Sequence, residues 1–250
     1  MNFINPPENA PENITHKAFF SKLIGHEIGY NIYLPPGYAD GGKRHPVAYH
    51  LHGYRCNESS DLQALEGVCR AREAITVFVN ATAENGYLDG VLPMESFIIT
   101  ELIPFIDSEY RTLASREHRS LSGFSMGGAG AFYYAAKYPE LFSAVTAYAG
   151  TYHHFYHKSA RTVGVAIEEA AGIFATMMRE KRYLEEDGIM CLVRQNSENI
   201  RDKVRIVLHV GSNDGLLCDN EIMHLYLNSL NIPHEYRLFD GAGHKLDKII

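Results

Sequence analysis

Residues 121–130 read LSGFSMGGAG, which sets Ser125 between Gly123 and Gly127 at the end of an apolar run and the start of a small-residue segment. The pattern G-x-S-x-G can present a serine on a sharp strand-to-helix turn, where the glycines let both elements approach closely. A serine so placed is a nucleophile for an acyl carbon. Its hydroxyl is too weak an acid to attack an ester unaided, so the chemistry requires a base and a carboxylate to orient that base. A glycine-rich packing turn has the same composition, and only the partners distinguish the two.

Two candidate partners follow in the order acid, then histidine. The run VRIVLHVGSNDG places Asp214 in a turn just after a strongly apolar segment, and YRLFDGAGHK places His244 on a Gly-rich loop after the last such segment. Asp214 would accept a hydrogen bond from one imidazole nitrogen and fix the tautomer, while the other nitrogen takes the serine proton. Asp219 and Asp240 are the rival acids, the first read as a helix cap and the second as a turn residue. His209 and His224 fall within a strand pattern and a helix pattern, where a structural histidine is expected.

Acyl transfer also needs two N–H groups aimed at the developing alkoxide. Met126 follows the serine directly and supplies one by position. The stretch YHLHGYRCNES places Tyr54 after Gly53 at the end of an early strand, where its amide is the candidate for the second. Taken alone, HLHG reads equally well as a buried strand with a glycine stop.

The elements that must carry these residues are legible as alternating patterns. KAFFSKLIGHEIGYNIYLPPGY reads as two antiparallel strands around Gly25, closed by Pro35-Pro36-Gly37. From HPVAYHLHG onward, short β-rich runs alternate with segments of helical period through to HEYRLFDGAGH. That alternation predicts an α/β fold with a mostly parallel central sheet and helices on both faces, and it places active residues at the carboxyl ends of strands. Residues 1–250 read as a single domain, with 1–15 as an N-terminal arm and 151–200 as a helical insertion after the sixth strand. The insertion could serve equally as a lid or as an ordinary crossover.

Composition narrows the function further. The net charge of -7, with scattered basic residues, argues against nucleic acid as a partner. No apolar run is long enough to span a membrane, and the first residues lack a secretory pattern, so the reading leaves a cytoplasmic and a secreted location both open. Cys56, Cys69, Cys191 and Cys218 have neither zinc spacing nor the density of a disulfide scaffold, which leaves room for one or two disulfides. His153 and His157 have helical i, i+4 spacing but no accompanying carboxylate pattern, so aromatic pocket lining is favoured over a metal. The fragment GGAG lacks the downstream acid of a dinucleotide site, and no cofactor is implied.

The set NIYLPPGY, HLHGYRCNES, ELIPFIDSEYRT, REHRSLSGFSMGGAGAF, KYPELFSAV, HVGSNDGLL and GAGH resembles the esterase D-like family of α/β-hydrolases. Within it, the sequence is most similar to feruloyl (cinnamoyl) esterase domains attached to bacterial xylan-degrading enzymes. The resemblance implies a nucleophile at Ser125, an acid at Asp214, a base at His244 and oxyanion amides at Tyr54 and Met126. It also implies feruloyl or acetyl esters of plant polysaccharide, small or polymer-linked, as substrates. Relatives that act on thioesters or transfer acyl groups, and a non-catalytic carbohydrate-binding relative, are the alternatives. Two stretches depart from the family pattern. One is 151–200, and the other is the segment HKLDKII, where family members carry an aromatic-containing segment and a helix.

Overall fold

A computed structural model describes residues 2–82, 86–152, 163–180 and 188–250. Its centre is an eight-stranded sheet: β1 (Ile14–Ser21), β2 (His26–Tyr33), β3 (Val47–Leu51), β4 (Ile75–Val79), β5 (Arg119–Phe124), β6 (Ala144–Tyr148), β7 (Arg205–Gly211) and β8 (His234–Phe239). The spatial order is β1-β2-β4-β3-β5-β6-β7-β8. β1 pairs with β2 and β2 with β4 antiparallel, and the remaining neighbours are parallel. The expected hairpin turns through Gly25 at φ 77°, and Tyr38 N–H closes the Pro35–Tyr38 turn on Pro35 O at 3.0 Å with Gly37 at φ 76°.

The period-2 pattern of the strands divides the core between the two faces of the sheet. Val47, Tyr49 and Leu51 of β3 and Ile75, Val77 and Val79 of β4 join one cluster, whereas Phe78, Tyr148 and Val210 join the other. Helix α1 (Leu62–Ala71) covers the second face through a stripe of Leu62, Leu65 and Cys69. The first face is packed by α2 (Met94–Phe97), α3 (Ile103–Glu109) and α4 (Met126–Lys137). Burying both faces in this way explains why the strands read as almost unbroken apolar runs.

Pro104 interrupts what the helical period presents as one segment. It has no N–H for the carbonyl one turn earlier, and a π-helical turn at Ile98–Leu102 separates α2 from α3. Between β6 and β7 the insertion is helical where described: α5 (Ala170–Glu180), α6 (Ile189–Gln195) and α7 (Ser197–Lys203). The last helix is α8 (Leu217–Ser229). The arm differs from its expected boundary because Ile14 and Thr15 already belong to β1. All four cysteines are free, so the structure forms neither of the disulfides that composition allowed. HKLDKII is short and irregular around a 3-10 turn at Leu246–Lys248, which buries Leu246 and Ile249 against the α1 face.

The order of the strands locates the site. The chain steps from β3 outward to β4 and then returns to the other side of β3 as β5, so the loops after β3 and β5 diverge and leave a crevice between them. Leu51 and Gly123 are register partners at the ends of these two strands, which sets the loop from His52 beside Ser125.

Candidate active site

Ser125 joins β5 to α4 with φ 56° and ψ -116°, a conformation that a non-glycine residue adopts only when its surroundings impose it. The constraints are visible. Its N–H donates to Tyr148 O at 2.8 Å, and its carbonyl accepts from Ala129 N–H at 3.1 Å and Thr151 N–H at 3.2 Å. The flanking glycines are required by space: a Cβ at Gly123 would overlap the backbone of Gly127, and one at Gly127 would overlap the carbonyls of Leu51 and His52. The predicted strand-turn-helix is therefore present, with the side chain at its apex.

His244 and Asp214 meet Ser125 there. Ser125 Oγ is 3.0 Å from His244 Nε2, and His244 Nδ1 is 2.9 Å from Asp214 Oδ2 and 3.1 Å from Oδ1. A carboxylate only accepts, so Nδ1 carries the proton and Nε2 is left free to accept from the serine. The Asp214 side chain is fully buried while that of His244 remains 39% exposed, which leaves the imidazole reachable from solvent. Asp214 Oδ1 also accepts from Leu216 N–H at 2.8 Å, at the head of α8. The two loops are tied to each other: Asn213 N–H donates to Ala242 O at 2.9 Å, and a Cβ on Gly211 would overlap that same carbonyl. The Phe124 ring stacks on the imidazole with centroids 4.7 Å apart.

The rival residues are engaged elsewhere. Asp219 lies inside the first turn of α8, fully buried, and is not its cap, which corrects the sequence expectation. Asp240 bonds with Ser212 Oγ at 3.4 Å, a turn role as expected. His209 Nδ1 meets Ile249 O at 2.7 Å, and His224 pairs with His234 at 2.7 Å. His153 and His157 lie outside the described residues. Among the described residues there is no group of three or more His, Cys, Asp or Glu able to hold a metal, and no helix long and apolar enough to cross a membrane.

Met126 directly follows Ser125, and Tyr54 follows Gly53 in the loop after β3. Met126 is the first residue of α4, where a helix leaves its N–H groups without acceptors of its own. Gly53 lies against Ser125, since a Cβ on it would stand 3.5 Å from Ser125 Cβ. The turn's left-handed residue is Arg55 at φ 60°, so Gly53 is not the residue whose freedom the turn uses. Among the described residues nothing accepts from the Tyr54 N–H.

One determinant was not anticipated from sequence. His52 Nδ1 donates to Gly53 O at 2.8 Å, and His52 Nε2 accepts from Ala81 N–H at 3.2 Å. Cys56 N–H donates to the same Gly53 carbonyl at 3.1 Å. Clamping that carbonyl fixes the Gly53–Tyr54 peptide plane and with it the direction of the trans Tyr54 N–H. The only sequence signal was a histidine directly before the loop glycine.

Burial pushes the His52 imidazole down to about 4 from 6.5. Between these values the unfolded chain binds a proton that the folded chain refuses, so stability is lost as pH falls through this window. The loss from this residue amounts to about 3 kcal/mol. Urea unfolding at pH 7 and pH 4.5 should show a larger acid penalty for wild type than for His52→Gln. Equal penalties would remove His52 from the account.

The family model described as "Putative esterase" matches residues 21–246. An esterase of Mycobacterium tuberculosis (strain H37Rv) is 30% identical over 159 residues, which are 60% of this chain and 35% of the relative. An endo-1,4-beta-xylanase/feruloyl esterase of Xylanibacter ruminicola is 32% identical over 148 residues, 52% of this chain and 20% of the relative. The chain thus spans about a third or less of the length of these curated relatives. A solved ferulic acid esterase superposes with a TM-score of 0.74 at 25% identity, covering 94% of this chain and 92% of that one. With the family pattern running from the end of β1 to the turn beyond His244, the chain belongs to the esterase family and has the α/β-hydrolase fold.

Proposed function

We propose that the protein is a serine carboxylesterase working through an acyl-enzyme, with Ser125 as nucleophile, His244 as general base and Asp214 as its orienting acid. The observation that carries this reading is the continuous hydrogen-bond chain from Ser125 Oγ through both His244 nitrogens to Asp214. As Ser125 Oγ bonds to the ester carbon, its proton passes to His244 Nε2, and the carbonyl oxygen gains negative charge within reach of the Tyr54 and Met126 amides. The imidazolium then gives the proton to the departing alcohol as the C–O bond breaks. Water, deprotonated by the same nitrogen, attacks the acyl-enzyme, releases the acid and restores the serine.

For substrate we propose feruloyl or acetyl esters carried on plant polysaccharide. Support comes from the printed activities of similar proteins, a xylanase/feruloyl esterase and a ferulic acid esterase. The test is initial rates on methyl ferulate, 4-nitrophenyl acetate and S-formylglutathione, with wild type and Ser125→Ala side by side. Serine-dependent cleavage that favours ferulate is expected. A preference for acetate moves the substrate to small acyl groups, and a preference for the thioester overturns the carboxylesterase assignment.

A further inference from the structure

The arm reaches back across the sheet and ends on the loop that carries Tyr54. Glu58, in that loop, has a side chain with no solvent exposure. Its Oε1 accepts from the Asn5 backbone N–H at 2.6 Å and lies 3.1 Å from His16 Nε2, and its Oε2 accepts from Asn5 Nδ2 at 3.0 Å. Ser59 Oγ donates to Asn5 O, and Asn31 Nδ2 donates to Glu58 O at 3.0 Å. On the neighbouring loop, Asn80 Nδ2 donates to Phe3 O at 3.0 Å, one residue before the Ala81 N–H that holds His52. Phe3 stacks on His26 at 4.6 Å, and its carbonyl also accepts from Gly29 N–H at 2.7 Å. A Cβ on Gly29 would overlap Glu58 Oε1 and stand 3.2 Å from Ile4 Cα, so the strand is bare where the arm and carboxylate cross it.

We infer that Asn2–Asn5 form a clasp that fixes the loop presenting the Tyr54 amide, with Asn5 and Glu58 as positioning residues for acyl transfer; this rests on the esterase reading above. An unpaired buried carboxylate is costly, and this one is satisfied largely by the arm. Charge-assisted bonds to a backbone N–H are short and directional, which suits them to fixing a loop in place. The clasp joins both supports of the oxyanion loop, its own far end through Glu58 and the segment behind His52 through Asn80. Asn5 and His16 precede the first residue matched by the family pattern, whereas Glu58 lies within it.

The test compares wild type with deletion of Asn2–Pro6, with Glu58→Gln and with the milder Asn5→Ala, using 4-nitrophenyl acetate, an aryl trifluoromethyl ketone and backbone hydrogen exchange. The ketone forms a hemiketal whose oxyanion occupies the same position as that of the reaction. Displacing one oxyanion donor by a fraction of an ångström should lower kcat about ten-fold in the deletion and in Glu58→Gln, and about three-fold in Asn5→Ala. Ketone affinity should fall by the same factors while KM stays within about two-fold. Exchange should rise across residues 53–61 and not in α4, which separates a loosened loop from a failing fold. Wild-type kcat, ketone affinity and loop exchange in the deletion variant would overturn the clasp. Absence of Ser125-dependent turnover in wild type would instead overturn the esterase reading, and loop exchange would still decide the clasp.

Discussion

Ser125→Ala is expected to lower kcat by about 10⁶ while leaving the fold and substrate affinity nearly intact. The residue is small and 9% exposed, so loss of one oxygen creates no cavity of consequence. The backbone strain at φ 56° stays with alanine, because the bond from its N–H to the Tyr148 carbonyl and those from the Ala129 and Thr151 amides to its own carbonyl involve main-chain atoms only. Without Oγ there is no acyl-enzyme. What remains is water attacking an ester that is still held near the two amides, a residual of about 10³–10⁴ over the uncatalysed reaction. Steady-state rates on 4-nitrophenyl acetate, with a melting curve beside them, check both halves of the expectation. A folded Ser125→Ala retaining more than about a hundredth of the wild-type kcat would contradict the nucleophile assignment.

Asp214→Asn should cost about 10⁴ in kcat, through the tautomer rather than through charge alone. The carboxylate accepts from His244 Nδ1 and therefore leaves Nε2 bare toward Ser125 Oγ. An amide nitrogen turned toward Nδ1 would demand an acceptor there, placing the imidazole proton on Nε2, where it blocks proton transfer from serine. The amide oxygen is the natural partner for Leu216 N–H, which keeps the nitrogen facing the imidazole. At about 1.4 kcal/mol per factor of ten, the loss corresponds to about 5 kcal/mol of transition-state stabilisation. Asp240→Asn, whose carboxylate accepts from Ser212 Oγ, should leave kcat within about two-fold. Near-wild-type activity of Asp214→Asn, or a larger loss in Asp240→Asn, would move the acid.

Much of this could be read from residue order because the fold forces it. In a parallel sheet each strand delivers its C-terminal loop to the same edge, so Ser125, Asp214 and His244 fall on one edge once three strand-loop units are recognised. The strands were equally open as short apolar runs, since both faces of β3 and β4 are covered. What could not be read is contact at long separation between elements of different type. Nothing in the sequence links Asn5 to Glu58, and the role of His52 depends on a backbone N–H from a loop after β4. Asp219 looked like a cap because helix-start signals do not specify the boundary to a residue; the chain enters α8 at Leu217 and carries the acid inside. The turn at Ile98–Leu102 was hidden because Pro104 breaks the hydrogen-bond ladder without breaking the apolar pattern.

The central claim is a covalent acyl-enzyme on Ser125, and peptide mapping after quenching a reaction with 4-nitrophenyl acetate tests it most directly. The account predicts an acetyl adduct on the peptide containing Ser125, formed within the burst of 4-nitrophenol and absent from Ser125→Ala. Sustained turnover with no adduct on that peptide, or an adduct on another residue that persists in Ser125→Ala, would contradict it.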